Sequence, residues 1–171
     1  EAKKLFDDAN KMIKKIIKNN LIEAKAVFGI YEANSIKDDI EVYDKKKNET
    51  FKFITLRQQK EKDKKFYNNA LSDYIAPKET GIKDYIGCFC VSAGFGSDEL
   101  SRKYEEDNDD YSSIMIKAIC DRFAEAFAEY LHKEVRTNYW GYAKDEKTTN
   151  DDLIKERYDG IRPAPGYPAC P

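Results

Sequence analysis

The sequence predicts an α+β domain that combines an antiparallel sheet with a long helix. Residues 26–56 contain short strand patterns joined by polar turns, which is typical of an antiparallel meander. Residues 109–138 carry a helical repeat of apolar side chains that is several turns longer than an average helix. A proline-rich segment, residues 162–171, follows these elements and must be stiff and extended.

The first half of the chain begins with a predicted amphipathic helix over residues 1–19, where apolar side chains recur every three or four residues. The apolar run 26–31 predicts a buried strand. Residues 40–43 alternate apolar and charged side chains, so we expect a half-exposed strand there. The hydrophilic turn 45–48 then leads to its hairpin partner, residues 51–56.

The middle of the chain is more varied. Asn34-Ser35 indicates a turn, and the charged residues 57–66 indicate a solvated loop. A short helix is predicted over residues 70–75, ending before Pro77. Residues 85–92 form the most apolar run of the chain, without a charge, which predicts a central strand buried on both faces.

Helices dominate the last third. Ser97 is placed to cap a short helix over residues 98–107, and Asp109-Asp110 opens the long helix, which should end near Asn138. A second short helix is predicted over residues 150–157, with Asn150 as its cap. The predicted apolar face of the long helix consists of Ile114, Ala118, Ile119, Phe123, Ala126, Phe127, Tyr130 and Leu131.

Composition excludes several classes of protein. The chain has 30 Lys and Arg against 32 Asp and Glu, a net charge of −2, whereas a generic nucleic-acid binder would be basic. We expect these charges to be spread over a solvated surface. No apolar run approaches the length needed to cross a bilayer, so the sequence predicts a cytoplasmic protein.

The cysteines and the single histidine argue against metal and redox chemistry. The four cysteines, of which Cys88 and Cys90 share one face of a strand, match neither a disulfide framework nor a zinc site. Cys120 falls on the core face of the long helix. The pattern Glu129-x-x-His132 copies half of a di-iron site, which needs a second histidine that the chain lacks. No metal site is predicted.

Other catalytic patterns are equally incomplete. Gly94-Phe95-Gly96 follows a strand, but it lacks both the third glycine of a dinucleotide fingerprint and the Gly-Lys-Ser/Thr of a P-loop. No nucleophile elbow is present. Asp121, Glu125 and Glu129 recur at four-residue steps and form an acidic flank of the long helix, which is an ordinary solvated surface for at least two of them. No catalytic residue is predicted.

The proline-rich segment leaves two interpretations open. It is either a linker or Pro-x-x-Pro ligand for an aromatic groove, or a preorganised wall of a binding site. For a binding site, Arg162 offers a fork for a carboxylate or phosphate, and Tyr167 offers a ring for stacking. These groups suit a ligand that carries a carboxylate, an aromatic base and a positive charge.

The segment Arg162-Pro-Ala-Pro-Gly-Tyr-Pro-Ala-Cys-Pro171 resembles the signature of the S-adenosylmethionine-binding activation domain of cobalamin-dependent methionine synthases. The resemblance extends over essentially the whole chain. Further segments that are similar to the family, in the same order, are Ala33-Asn34, residues 38–43, Leu56-Arg57-Gln58-Gln59, residues 73–78, residues 84–87, Asp109-Asp110-Tyr111, residues 124–132 and Tyr139-Trp140-Gly141-Tyr142.

The resemblance implies a fold, a function and partners. The family's fold is α+β, with a long central helix and a twisted antiparallel sheet in a C-shaped arrangement. Its domain presents S-adenosylmethionine to a cobalamin held by the neighbouring domain. With an electron from flavodoxin or a similar reductase, inactive cob(II)alamin is methylated to methylcobalamin. The full-length enzyme is a 5-methyltetrahydrofolate–homocysteine methyltransferase of methionine biosynthesis, and we expect no turnover by this piece alone.

The resemblance also implies which residues bind S-adenosylmethionine. Arg162 would bind the methionine carboxylate, and backbone groups around Ala164, Gly166 and Tyr167 would hold the adenosine end. Two acidic residues on helices would favour the sulfonium or the amino group, and these are Glu125 and Glu156.

Residues 1–171 are expected to form a single domain that lacks both ends of the family's domain. Upstream, the family has an aspartate that contributes to ligand binding, and downstream it has a pair of adjacent tyrosines. Two alternatives stay open: a stand-alone homologue that serves another corrinoid protein, and a scaffold whose proline-rich segment recruits a partner.

Overall fold

The computed structural model describes residues 1–63 and 65–166. The described residues form four α-helices: α1 (Ala2–Asn19), α2 (Ser97–Glu106), α3 (Asp110–Glu134) and α4 (Asn150–Ile154). Its strands are β1 (Glu23–Ile36), β2 (Asp39–Asp44), β3 (Glu49–Phe53) and β4 (Asp84–Phe95). Two 3₁₀ turns (Leu71–Tyr74 and Lys78–Thr80) and a π-helical segment (Val135–Tyr139) complete the list. The predicted α+β class is confirmed.

The strands form one four-stranded sheet in the order β3-β2-β1-β4. β1 pairs antiparallel with β2, and β2 pairs antiparallel with β3. The chain divides into two compact units. The first unit comprises Glu1–Val27 and Phe89–Tyr158, and the second comprises Phe28–Cys88 and the described residues from Asp159 onwards.

The first unit packs α1 and α2 against α3. The periodic apolar side chains of α1 place Met12 and Ile16 in its core, and Asn20 ends the helix in a left-handed conformation (φ 49°), which asparagine adopts more readily than most residues. The side chain of Asp109 accepts a hydrogen bond from the backbone N–H of Ser112 (3.0 Å), which caps α3. The core residues of α3 are Met115, Ile116, Ile119 and Cys120.

The predicted apolar face of α3 is largely wrong. Ile119 and Leu131 are buried as expected, but Ile114 is 66% exposed and Tyr130 is 58% exposed. α3 carries apolar side chains on more than one side, so periodicity alone does not select the packed face. The packing of α1 and α2 selects the side that carries Ile116, which is fully buried.

The second unit has a small core on one face of the sheet. Ala33, Ile40, Val42 and Ile86 are buried there, and side chains from the 3₁₀ region, among them Leu71, pack against them. The turn at residues 45–48 and the half-exposed strand over residues 40–43 are confirmed. The hairpin with β3 is confirmed as well.

Two strands differ from their predicted burial. β1 is exposed over most of its first half, and its pairing with β2 begins only at Glu32. β4 was predicted to be a central strand buried on both faces. Among the described strands it lies at the edge of the sheet, and only Ile86 and Ala93 along it are buried.

Asn34 and Ser35 were predicted to form a turn but lie buried near the end of β1. The side-chain amide of Asn34 donates to the backbone oxygens of Ala76 (3.0 Å) and Ile82 (2.8 Å). The Ser35 hydroxyl donates to the oxygen of Ile75 (2.9 Å). These two side chains therefore supply hydrogen-bond donors for backbone oxygens of the irregular segment that follows the first 3₁₀ turn.

The charged connection after β3 is more than a solvated loop. The guanidinium of Arg57 forms two hydrogen bonds of 2.7 Å with the carboxylate of Asp73, one to each oxygen. It also donates to Asp38 at 2.6 Å and to the backbone oxygen of Asn68 at 2.7 Å. The Arg57 guanidinium holds the pKa of the Asp73 carboxyl below its usual range. Through its ion pair with Asp38, Arg57 thus links the connection after β3 to the turn between β1 and β2.

None of the helices in the described residues has the length and apolar character required to cross a membrane.

Candidate functional site

The described part of the proline-rich segment, residues 161–166, forms neither helix nor strand. Pro163 and Pro165 fix their own φ angles and remove two backbone donors, so this stretch cannot join a sheet as an inner strand. Arg162 is partly buried, whereas Ala164 and Gly166 are exposed. The described part of the segment is therefore irregular and ends in a turn, whereas the sequence predicted that it runs extended.

Gly166 ends the described segment in a conformation that favours glycine. Its φ is +88°, and Pro165 and Gly166 form a turn. A Cβ added at Gly166 would meet no described atom within 4 Å, so backbone conformation rather than space requires the glycine. The open side of this turn leaves backbone groups accessible to a ligand. Tyr167, the next predicted binding residue, lies outside the described residues.

The two predicted carboxylates belong to the first unit, whereas Arg162, Ala164 and Gly166 belong to the second. Glu125 is on α3 and is exposed, as is Asp121 one turn before it, and Glu129 one turn later is partly buried. The acidic flank predicted from the four-residue spacing is thus confirmed as a mostly solvated row.

Glu156 was predicted to lie on a helix, and this is wrong. α4 ends at Ile154, and its N-cap is Thr149, one residue before the predicted cap. The backbone N–H of Glu156 donates to the oxygen of Leu153 (3.0 Å), and that of Arg157 donates to the oxygen of Asp152 (2.9 Å). This is the hydrogen-bond pattern of a Schellman motif, which turns the chain at Glu156.

Glu156 occupies the position in this motif that glycine usually fills. Its φ is 52°, a left-handed conformation that costs a residue with a side chain roughly 1–2 kcal/mol. Strain of this kind is retained where the surrounding structure or a function requires the side chain. The turn keeps the Glu156 side chain exposed at the surface of the first unit.

A buried polar cluster beyond the end of α3 was not predicted from the sequence. Arg136 is fully buried, and its guanidinium donates two hydrogen bonds of 2.8 Å to the two carboxylate oxygens of Glu146. A third nitrogen of Arg136 lies 2.7 Å from Nδ1 of His132. Because arginine only donates, His132 accepts this bond and carries its proton on Nε2. His132 is therefore part of a buried hydrogen-bonded cluster.

Two further groups complete this cluster. The hydroxyl of Thr148 donates to Glu146 (2.8 Å), and the ring of Tyr158 lies 3.8 Å from the guanidinium carbon of Arg136. Burial alone would lower the pKa of Arg136, but the hydrogen bonds and charge of Glu146 outweigh it and raise the pKa. The bonds from Arg136 lower the pKa of Glu146 in turn. Both partners therefore stay charged.

The cluster stands at an irregular point of the helix. The segment Val135–Tyr139 is π-helical, and the backbone N–H of Trp140 reaches back to the oxygen of Val135 (2.8 Å). π-Helical turns often occur at functional sites. Arg136 lies within this segment, and its guanidinium reaches Glu146 in the loop, ten residues further on. In the sequence, only the opposite charges of Arg136 and Glu146 indicate that they could pair. No rule of helix or strand spacing connects two residues that lie ten positions apart in this way.

Comparison with known proteins gives two results. The family model described as the activation domain of vitamin B12 dependent methionine synthase matches residues 1–171. A solved structure, a crystal structure of the MetH reactivation domain bound to AdoHcy, is similar at 49% sequence identity with a TM-score of 0.91. The alignment covers 100% of this chain and 53% of the other, so this chain spans about half the length of that relative.

Proposed function

Because the chain belongs to the activation-domain family of vitamin B12-dependent methionine synthase, we propose that it binds S-adenosylmethionine and supports the reactivation of that enzyme's cobalamin. The observation that carries this proposal is the similarity over the whole chain to a reactivation domain bound to AdoHcy, the demethylated form of S-adenosylmethionine. An identity of 49% supports a common ligand chemistry as well as a common fold.

Arg162 would bind the carboxylate of the methionine part. A guanidinium fork matches a carboxylate with two parallel hydrogen bonds, and partial burial strengthens such charge-assisted bonds. The prolines on either side of Ala164 restrict the backbone before any ligand arrives, which lowers the entropy lost on binding. The segment therefore suits a preorganised wall better than a flexible linker.

The backbone around Ala164, Gly166 and Tyr167 would hold the adenosine end. Pro163 and Pro165 have no N–H, so the carbonyl oxygens of this stretch have few local donors to satisfy them. Adenine and ribose offer amino and hydroxyl donors for such oxygens. The open face above Gly166 supports a close approach of the ligand to the main chain.

Glu125 and Glu156 would favour the positively charged end of the ligand, which carries a sulfonium and an amino group. Both side chains are exposed, so their charges are available to a ligand. The left-handed conformation of Glu156 holds its side chain at an exposed turn that follows α4.

When bound, S-adenosylmethionine would supply the methyl group, and an electron from flavodoxin or a similar reductase would complete the conversion of cob(II)alamin to methylcobalamin. The cobalamin would be held mainly by a neighbouring domain of a 5-methyltetrahydrofolate–homocysteine methyltransferase. This chain's own part is to bind and orient the methyl donor. The free thiols of Cys88, Cys90 and Cys120 support a reducing compartment such as the cytoplasm.

Removal of the Arg162 side chain tests the ligand site. In protein that carries the family's complete domain, Arg162→Ala should weaken S-adenosylmethionine binding about 10- to 150-fold, which corresponds to about 1.5–3 kcal/mol for a charged hydrogen-bonded contact. Isothermal titration calorimetry would measure the dissociation constant. Arg157→Ala, which removes a 65% exposed arginine side chain five residues earlier, is the matched control. Equal affinity of Arg162→Ala and wild type would refute the assigned role.

Glu156→Gly separates stability from binding at the second carboxylate. Glycine relieves the left-handed strain, so we expect the melting temperature to rise, with a gain of about 0.5–1 kcal/mol in unfolding free energy. S-Adenosylmethionine affinity should fall at the same time, by about 2- to 5-fold for an exposed charge. Lys37→Gly, at another left-handed position (φ 57°), should stabilise without any loss of affinity. Unchanged affinity of Glu156→Gly would exclude Glu156 from the site.

A further inference from the structure

Arg136 contacts the chain on both sides of α4. Its guanidinium donates two hydrogen bonds of 2.8 Å to the carboxylate of Glu146, which precedes α4. The ring of Tyr158, which follows α4, lies 3.8 Å from the guanidinium carbon. Residues 146–158, here called the α4 segment, therefore begin and end at the same buried side chain.

The guanidinium is itself held in a defined position. Arg136 is fully buried, and one of its nitrogens lies 2.7 Å from Nδ1 of His132 on α3. The ring of His132 in turn meets the ring of Tyr158 edge to face, with 5.2 Å between the ring centroids. A buried guanidinium with such partners cannot move without the loss of charged hydrogen bonds. It therefore gives the α4 segment a rigid point of attachment.

Contacts inside the α4 segment connect both attachment points to the turn at Glu156. Before α4, the hydroxyl of Thr148 donates to Glu146 (2.8 Å), and the next residue caps the helix. Leu153 is buried and anchors α4 itself. After α4, the backbone N–H groups of residues 155–157 donate to carbonyl oxygens of the helix. The turn is thus connected to Arg136 by short contacts on each side.

The turn at Glu156 requires this support from its surroundings. The φ angle of Glu156 is 52°, a left-handed conformation that is unfavourable for most residues with a side chain. A residue keeps such a conformation only where the surrounding structure determines it. Attachment of the α4 segment at both ends excludes most other backbone conformations, and it thereby fixes the direction in which the Glu156 side chain leaves the turn.

The charge balance of the cluster does not depend on Tyr158. The carboxylate of Glu146 neutralises Arg136 through two hydrogen bonds. Tyr158 adds an aromatic face over the guanidinium, which is a cation–π contact. Because Tyr158 comes two residues after Glu156, this contact fixes the point at which the chain leaves the turn.

We propose that Tyr158 is a positioning residue for S-adenosylmethionine: its ring, placed over the buried Arg136, holds the turn that directs the Glu156 carboxylate toward the positive end of the ligand. This inference rests on the proposed function, which assigns Glu156 to the ligand site. A carboxylate that is held in place before binding loses less conformational entropy when the ligand arrives. If the turn opens, the binding-competent fraction falls and the apparent dissociation constant rises in proportion.

A double-mutant cycle tests this role in protein that carries the family's complete domain. In isothermal titration calorimetry with S-adenosylmethionine, Tyr158→Leu should weaken binding about 2- to 5-fold, the same loss as Glu156→Gln, because it can remove no more than the contribution of the carboxylate that it positions. The double variant should therefore bind no more weakly than either single variant. Tyr158→Phe keeps the ring over the guanidinium and should keep the wild-type affinity.

Hydrogen exchange of the ligand-free protein measures the turn itself. In Tyr158→Leu, the backbone amides of residues 155–157 should exchange about 3- to 30-fold faster than in wild type, since their hydrogen bonds depend on the closed turn. The amide of Leu100, which donates to the oxygen of Gly96 at the start of α2, is the reference and should keep its rate. Tyr158→Phe should show wild-type rates at both places.

Ile116→Val is the matched control for a general loss of stability. It removes one methyl group from the core of the first unit and should lower the melting temperature by about 1–6 °C. Its affinity for S-adenosylmethionine should equal that of wild type. A loss of affinity as large as that of Tyr158→Leu would overturn the positioning role, because destabilisation of the fold would then explain both results.

The remaining outcomes also decide the proposal. Wild-type affinity of Tyr158→Leu, together with a loss in Glu156→Gln, would overturn it and leave the role of Glu156 intact. Additive losses in the double variant would overturn it as well, because Tyr158 would then act by another route. Binding by Tyr158→Phe as weak as that of Tyr158→Leu would exclude the ring as the cause. Absence of S-adenosylmethionine binding by the wild type would refute the proposed function itself, and the positioning role with it.

Discussion

Glu146→Leu should lower the free energy of unfolding by about 3–5 kcal/mol, because it leaves the charge of the fully buried Arg136 without its partner. The side chain of Glu146 is itself only 8% exposed, so water cannot replace the lost carboxylate. Chemical denaturation followed by circular dichroism would measure the change. The neighbouring acceptor, His132, offers a single nitrogen and cannot compensate for two lost oxygens.

The double variant Arg136→Met/Glu146→Leu distinguishes charge from packing. Removal of both charges should restore a large part of the lost stability, since apolar residues of similar volume often replace a buried ion pair without penalty. Asp151→Asn, at an ion pair in which the aspartate is 82% exposed, is the control and should change stability by less than about 0.5 kcal/mol. A loss below about 1 kcal/mol for Glu146→Leu would contradict the buried arrangement.

Ile116→Ala should destabilise the first unit by about 2–5 kcal/mol, through lost burial and the cavity that remains among α1, α2 and α3. Ile116 is fully buried in the core formed by these helices. Urea denaturation monitored by circular dichroism at the helical wavelength would measure the loss. The result bears directly on which face of α3 is packed.

Ile114 provides the matched control for this prediction. It lies on the same helix, two residues earlier, and is 66% exposed. Ile114→Ala should change the free energy of unfolding by less than about 0.5 kcal/mol, because alanine also favours the helix. A larger loss for Ile114→Ala than for Ile116→Ala would restore the face predicted from the sequence and refute the observed packing.

The buried cluster around Arg136 corresponds to no sequence motif. Glu129 and His132 have the spacing of half a di-iron site, although the chain lacks the second histidine that such a site needs. In the folded chain, His132 instead accepts a hydrogen bond from Arg136, and the carboxylate that balances the charge of the arginine comes from Glu146.

Two predictions from the sequence stay predictions. One is that residues 1–171 form a single domain. The other is a binding role for Arg162, Ala164, Gly166, Tyr167, Glu125 and Glu156.

Elements whose evidence is local were predicted well. α1 and α3 begin within a residue of their predicted starts. A helical repeat and a capping aspartate depend only on residues that are close in sequence, so both can be recognised without the tertiary structure. The hairpin of β2 and β3 follows from alternation and a polar turn. The absence of helix and inner strand over residues 161–166 follows from proline chemistry, and the motif around Arg162 indicated the family over the whole chain.

Tertiary structure decided what depends on distant residues. It selected Ile116 rather than Ile114 as core, and it placed β4 at the edge of the described sheet. It also brought Arg57 to Asp38 and Asp73, 19 and 16 residues away. The physical reason is that periodicity and turn chemistry act over a few residues, whereas burial and ion pairing are settled only when separate elements pack together. Sequence alone thus determined the elements, their family and the ligand-binding hypothesis, and packing determined which faces and charges meet.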